Sequence, residues 1–166
     1  MAQAQTGRFG TLEYDSQSEI AFPYGIPGFD HERRFLLVEQ TSLAPFVFLQ
    51  SLDSPDLCFA ALPASAIDVN YELQLSAEDR SALLQENQLN RDLLEEAPLE
   101  KDPLEDSPVP GLLPLALLAA AGDGPLTANL LAPVVINLTR RIGLQTIRSD
   151  ARYSHCHRLG AGVPCW

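Results

Sequence analysis

Lysine occurs once in the 166 residues, at Lys101, and the arginines near the C-terminal end have a single aromatic residue, Tyr153, among them. Nucleic-acid surfaces rest on clustered cations that neutralise phosphates and on rings that stack bases, so direct nucleic-acid binding is disfavoured. Cysteine is sparse. Cys58, Cys156 and Cys165 build no disulfide framework and fit a reducing compartment. No apolar stretch reaches the ~20 residues of a membrane span; the longest, Gly111 to Ala121, is interrupted by Pro114. The opening MAQAQTGRFG has neither the basic start nor the apolar run of a secretory signal. A cytoplasmic, membrane-free protein is therefore expected. Gly-x-Ser-x-Gly, a phosphate-cradling glycine loop and Gly-x-Gly-x-x-Gly are all absent, which removes the commonest nucleophile and nucleotide sites.

What is present is acid. The formal net charge is −11, and 15 acidic residues against three basic ones lie between Asp53 and Asp123. Such a middle repels nucleic acid and favours encounter with a basic protein, although charge alone also serves solubility. Residues 140–158 reverse the balance, with five arginines against Asp150. Arg140, Arg141, Arg148 and Arg152 read as a weak basic patch.

Short runs rich in β-branched and aromatic residues, separated by Gly, Pro, Asp or Ser, occupy both ends of the chain. They predict strands at Phe9–Tyr14, Ile20–Phe22, Phe35–Glu39, Phe46–Gln50, Leu57–Leu62, Tyr71–Leu75, Val134–Leu138 and Leu144–Arg148. This spacing implies a mainly β, antiparallel barrel-like or sandwich-like single domain with one or two short helices. Ser76-Ala-Glu-Asp79 reads as a capping box with Asp79 in place of the usual Glu. Leu83, Leu84, Leu89, Leu93 and Leu94 continue the helix it opens. The acidic, proline-rich stretch 91–110 reads as a mobile insertion. Leu112–Ala121, LLPLALLAAA, favours helix by propensity.

Candidate chemistry is thin. His155, Cys156, His157 and Cys165 hold metal-ligand atoms, but neighbours on an extended chain point to opposite faces and the spacing fits no zinc pattern. Cys58 sits in an apolar run and reads as a small buried hydrophobe. Asp53 and Asp56 flank Ser-Pro and read as turn residues. Arg140 and Arg141 fall in a hairpin turn reaching Gly143. In Phe22-Pro-Tyr-Gly-Ile-Pro-Gly-Phe29, Pro23, Gly25, Pro27 and Gly28 predict a tight turn. Phe22 and Phe29 are expected to anchor it in the core, as architecture rather than contact surface. Asn129 is expected to close an Asx turn before a strand that follows Pro133.

These motifs, in order, resemble one family. FPYGIPGF, then Arg34-Phe-Leu-Leu-Val38, Pro45-Phe-Val-Phe-Leu-Gln-Ser51, the stretch Leu126 to Asn137 (LTANLLAPVVIN), Gly143-Leu-Gln-Thr-Ile147 and Tyr153-Ser154 are similar to elements of the flagellar assembly factor FliW. Leu126 stands where the family has Met, the acidic stretch 91–110 is longer than expected, and Ala64–Asn70 lacks part of the family's run. The resemblance implies a β-rich barrel over residues 1–157 followed by a flexible tail, 158–166, and it implies strand rather than helix at Leu112–Ala121. It implies a protein without catalytic activity or cofactor that binds flagellin and the RNA-binding repressor CsrA. CsrA would be captured away from its RNA surface and released when flagellin occupies FliW. The alternative is a flagellin chaperone without CsrA antagonism. Asp68, Tyr71, Glu72, Glu78 and Asp79 are the residues expected to face CsrA, because they sit in the acidic middle beside the retained Tyr71.

Overall fold

The computed structural model describes residues 1–85 and 109–160. Its first two strands, β1 (Ala2–Thr6) and β2 (Gly10–Tyr14), form a separate antiparallel ribbon with Ala2 opposite Tyr14. Seven further strands close on themselves in chain order: β3 (Ile20–Ala21), β4 (Arg34–Glu39), β5 (Val47–Ser51), β6 (Cys58–Pro63), β7 (Leu112–Ala119), β8 (Thr127–Asn137) and β9 (Ile142–Gln145). All neighbours are antiparallel except β3 and β9. That parallel contact pairs Ala21 with Ile142, and the Ala21 N–H donates to the Arg141 carbonyl at 2.9 Å. Closure removes the open edges that a sheet otherwise presents. A two-residue strand, β10 (His157–Arg158), adds to the start of β8. Among the described residues two α-helices lie outside the barrel, α1 (Ala64–Ile67) and α2 (Ala77–Leu84).

Alternation along each strand sorts side chains between inside and outside. Phe35, Val47, Leu49, Ala61, Leu115, Val134 and Ile136 point inward and meet Ile20, Phe22 and Ile26 in one cluster. The outward residues are also apolar, and three covers bury them. The ribbon brings Phe9 onto Phe48. Next, α1 and the C-terminal segment bring Ile67, Tyr153 and Leu159 onto Ala116, Ala128 and Leu130. Finally, α2 brings Ala82 and Leu83 onto Val135, Ile142 and Leu144.

This two-sided burial explains residues 112–121. A strand covered on both faces is written as a continuous apolar run, and propensity misreads such a run as helix. Leu112–Ala119 is a strand, as the family resemblance implied. Pro114 is tolerated because it pairs only with Val135 of β8, lying beyond the part of β7 that bonds to β6.

Other expectations need correction. Tyr71–Leu75 is not a strand: Tyr71, Leu73 and Leu75 turn apolar side chains toward the barrel while the backbone joins no ladder. β1 was not anticipated; its Ala-Gln alternation carries no strand-forming residue, and Ala2, Ala4 and Thr6 are simply its more buried face. β8 begins at Thr127 rather than Val134. The turn after it spans residues 138–141, with Arg141 at φ 54° and the next strand resuming at Ile142. β9 ends at Gln145, short of Arg148. β10 pairs His157 and Arg158 with the start of β8, and Leu159 packs on the core. α2 starts at its expected cap, with the Asp79 N–H donating to Ser76 Oγ at 3.0 Å. Its anticipated continuation through Leu89, Leu93 and Leu94, the insertion up to residue 108, and Cys165 lie outside the described residues.

Candidate partner-binding site

The region holding Asp68, Tyr71 and Glu72 is organised by an irregularity in β8. Leu115 faces Val134 and Leu117 faces Asn129, so two steps along β7 answer five along β8. Three residues of β8 are surplus, and their backbone groups need partners elsewhere. Asn129 Oδ1 accepts from the Ala132 N–H at 2.9 Å, so this Asx-type bond closes inside the strand rather than before it. The N–H groups of Leu130 and Leu131 both donate to the Ser154 carbonyl, at 3.1 and 3.2 Å, and the Leu131 carbonyl accepts from the Arg148 N–H. The Pro133 carbonyl accepts from the Thr146 N–H. The bulge thus draws residues 146–154 against the barrel.

Arg148 is the centre of what results. Its side chain is 1% exposed. Nε and Nη2 donate to the two oxygens of Asp150 at 2.9 and 2.8 Å, and Nη1 donates to the Glu72 carbonyl. The guanidinium lies 5.2 Å from the Tyr71 ring centre and 4.8 Å from that of Tyr153. A planar fork with five donors suits this mixture of bidentate and stacked contacts. Tyr71 Oη donates to the Leu130 carbonyl at 3.3 Å, and Tyr153 Oη donates to Asp68 at 2.6 Å. The Asn70 N–H also donates to Asp68. The Tyr153 bond, then the Asn70 bond, hold the Asp68 carboxyl below its ordinary range. The Arg148 bonds do the same for Asp150. Burial pushes the Tyr71 hydroxyl up.

The basic patch read from four arginines is corrected by this geometry, since Arg148 is buried and committed inside. Asp68 and Tyr71 are likewise tied down, while the Glu72 side chain is 79% exposed and pairs with Arg152 at 3.7 Å. Val69, between Asp68 and Asn70, is 86% exposed. The cluster offers no activated nucleophile or proton donor. It is a stiff platform with Val69 and Glu72 on its outer side.

Glu78 and Asp79 belong elsewhere. They line a second surface with Tyr24, Gly25, Pro27, Asp30, Leu144 and Gln145. Asp79 does not return to cap Ser76; it accepts from Thr146 Oγ1 at 2.6 Å and so pins α2 to the segment after β9. Opposite α2 stands FPYGIPGF, which is two turns in series. The Gly25 N–H donates to Phe22 with Gly25 at φ 68°, and the Phe29 N–H donates to Ile26 with Gly28 at φ 86°. A Cβ on Gly25 would stand 2.7 Å from Asp30 Cα, so this site admits only glycine on both counts. Phe22 is fully buried, edge-on to Phe35 and against Gly143. Phe29 is not a core anchor as expected: it is 41% exposed and rests on Phe59 at the barrel rim. Pro23 and Pro27 are exposed. Asn137, 2% exposed, donates to the Leu83 carbonyl and accepts from the N–H groups of Thr139 and Arg140, joining the β8–β9 turn to α2.

His155, Cys156 and His157 are exposed, and no group of three or more His, Cys, Asp or Glu among the described residues is placed to hold a metal. Burial pushes the Cys58 thiol up, away from the reactive thiolate. Asp53 accepts from the N–H groups of Arg33 and Arg34 at 2.8 and 3.0 Å and from Arg34 Nε. Burial raises its carboxyl, but these bonds outweigh it and hold the group below its ordinary range. It is a clasp between β4 and the β5–β6 turn.

Comparison with known proteins matches this architecture. The family model described as FliW protein aligns with residues 3–107 and 100–159. The chain belongs to the FliW family. A flagellar assembly factor FliW of Desulfitobacterium hafniense (strain DSM 10664 / DCB-2) is 34% identical over 155 residues, covering 93% of this chain and 89% of that protein. One from Syntrophomonas wolfei is 31% identical over 150 residues, covering 90% and 83%. A crystal structure of the flagellar assembly factor FliW superposes with a TM-score of 0.72 at 27% identity, covering 95% of this chain and 96% of the other. The FliW barrel accounts for the strand at residues 112–119 and for the order of the motifs. From sequence Arg148 reads only as one arginine of an exposed basic patch and Asp150 only as the acid opposing it, not as partners in a buried pair. The only signal was Tyr153-Ser154 in family order, and it gave no hint of a buried arginine beneath.

Proposed function

We propose that this FliW-family chain is a cytoplasmic, non-catalytic binding protein that exchanges between flagellin and a CsrA-type translational repressor. Free protein captures CsrA and relieves repression of flagellin message; accumulated flagellin occupies it and frees CsrA. Competition of two partners for one hub makes the free concentration a readout of flagellin by mass action. The observation that carries the reading is the family match along nearly the whole chain. The net charge of −11 supports it, because it suits a basic RNA-binding partner and not RNA itself. No helix among the described residues is long and apolar enough to cross a membrane.

Calorimetric titration with purified CsrA, repeated after saturation with flagellin, tests this. Tight CsrA binding that flagellin abolishes is the expected result. Binding to flagellin alone would leave a chaperone and remove the translational half. Within the reading, the platform of Asp68, Tyr71 and Glu72 faces CsrA, with Glu72 the freest charge. Glu72→Lys is the clean probe, since reversing Asp68 would also break its bond to Tyr153.

A further inference from the structure

A groove opens between the two-turn element and α2, above the place where α2 packs on the barrel. It encloses about 340 Å³. One wall is Tyr24, which is 63% exposed although its neighbours Phe22 and Ile26 are buried at 0% and 2%. Ala82 and Leu144, which also line it, are 6% and 4% exposed and belong to the packing of α2 on the barrel. Asp30 and Glu78 stand on opposite sides, one from the turn and one from the first turn of the helix. Neither has an ion pair among the described residues, and the lining of the groove contains no cation. Asp79 is already committed to Thr146.

We propose that this groove receives a lysine or arginine side chain presented by a protein partner. The stem and cationic head of such a residue would lie against the exposed Tyr24 ring, and Asp30, from the turn, and Glu78, from the helix, would supply opposite charge. Backbone rigidity makes the wall a fixed one. Gly25 at φ 68° and Gly28 at φ 86° set the two turns that carry Tyr24 and Asp30, and Asp79 locks α2 in place. The element read from sequence as architecture is then architecture and contact surface together. The inference rests on the reading that the chain binds protein partners, and not on which partner is CsrA or flagellin.

The test uses the full chain and a chemical probe rather than either partner. The ¹⁵N-labelled protein is titrated with the peptide acetyl-Gly-Arg-Gly-Arg-Gly-amide, and with the same peptide carrying citrulline in place of arginine. Saturable shifts at Tyr24, Gly25 and Gln145 are expected from the arginine peptide, weakening with salt, and none from the citrulline one. Tyr24→Ala should lower the affinity about tenfold, the size of a desolvated cation–π contact. Tyr24 is exposed, so the variant keeps its fold, which its unchanged spectrum elsewhere would verify. Glu78→Gln should weaken binding and flatten the salt dependence. Shifts spread evenly over the acidic surface, or identical titrations for Tyr24→Ala and the parent, would overturn the proposal. A chain that fails to bind CsrA yet shows the localised arginine response would lose the functional reading and keep this groove.

Discussion

The barrel interior and the Arg148 cluster are both solidly packed, but they hold by different physics. Inside the barrel, Phe35, Leu49, Val134 and their neighbours are joined by burial alone, which is non-directional and scales with area. Around Arg148, each group is held by a partner in a particular direction: two Asp150 oxygens, the Glu72 carbonyl and two ring faces. The first kind of packing tolerates exchange of one apolar shape for another. The second does not, because removing one member takes directional partners from the others, and Arg148 itself is buried.

The sharpest break of this contrast compares truncation with replacement. Phe35→Ala should cost about 4 kcal/mol in denaturant unfolding, whereas Leu49→Met should cost about 1 kcal/mol, because volume is kept. Arg148→Met keeps the stem and much of the volume, yet it should lose about 3 kcal/mol, since the carbonyl and carboxylate it served lose their donors. If Arg148→Met were as mild as Leu49→Met, the cluster would be ordinary apolar packing and the distinction would fail.

Next in size is Gly143→Ala. A Cβ there would run into the Phe22 ring. Overpacking of this kind costs about 2 kcal/mol, read as a lowered Tm. Its interest is that it sits where the turn element meets β9, so it asks whether the interior can yield locally. Pairing it with Phe22→Leu should recover part of the loss, because the obstacle is a ring and not the backbone.

These two regions were also unequally legible in the sequence. The interior could be read because its rule is local: Phe35, Leu37 and Val47, Leu49 alternate along single strands. LLPLALLAAA resisted because both its faces are covered, and which elements cover them is set by α1, α2 and the C-terminal segment, far away in sequence. Tyr71 reads from sequence as a residue of a supposed strand and as a partner-facing candidate, not as the cover of a buried arginine. That Arg148 lies buried beneath it depends on three surplus residues in β8, and a bulge leaves no mark in composition. Glycine was more informative than charge. Gly25 and Gly28 announced their turns correctly, while Asp68, Glu72, Glu78 and Asp79 looked like one acidic face and belong to two.

Acid titration separates the regions by a smaller effect. Asp68, Asp150 and Asp53 all have carboxyls held below their ordinary range in the folded chain. Each contributes stability that is present above the unfolded carboxylate value, near pH 4, and is lost as pH falls through the lower folded value. Unfolding midpoints should therefore decline below about pH 4. Tyr153→Phe removes the largest influence on Asp68 and should make that decline shallower, with a loss at neutral pH below that of Gly143→Ala. Phe35→Leu, by contrast, should shift the whole pH curve down without changing its shape.

The smallest effect on stability belongs to the Glu72–Arg152 pair, where the two side chains are 79% and 47% exposed and 3.7 Å apart. Surface pairs of this kind contribute at most about 1 kcal/mol and often nothing measurable. Glu72→Lys should leave the unfolding curve nearly unchanged, because the part of Glu72 that Arg148 uses is its backbone carbonyl, which the substitution keeps. If the proposed function holds and Glu72 lies at the rim of the CsrA contact, association with CsrA should nevertheless slow at low salt and converge with the parent as salt rises, since a rim charge acts on encounter more than on the bound state. An unchanged on-rate at low salt would take Glu72 off the partner-facing side and leave the Arg148 platform as structure alone. The same residue thus carries both halves of the contrast: its backbone belongs to the directional network beneath, and its side chain is free to be read from outside.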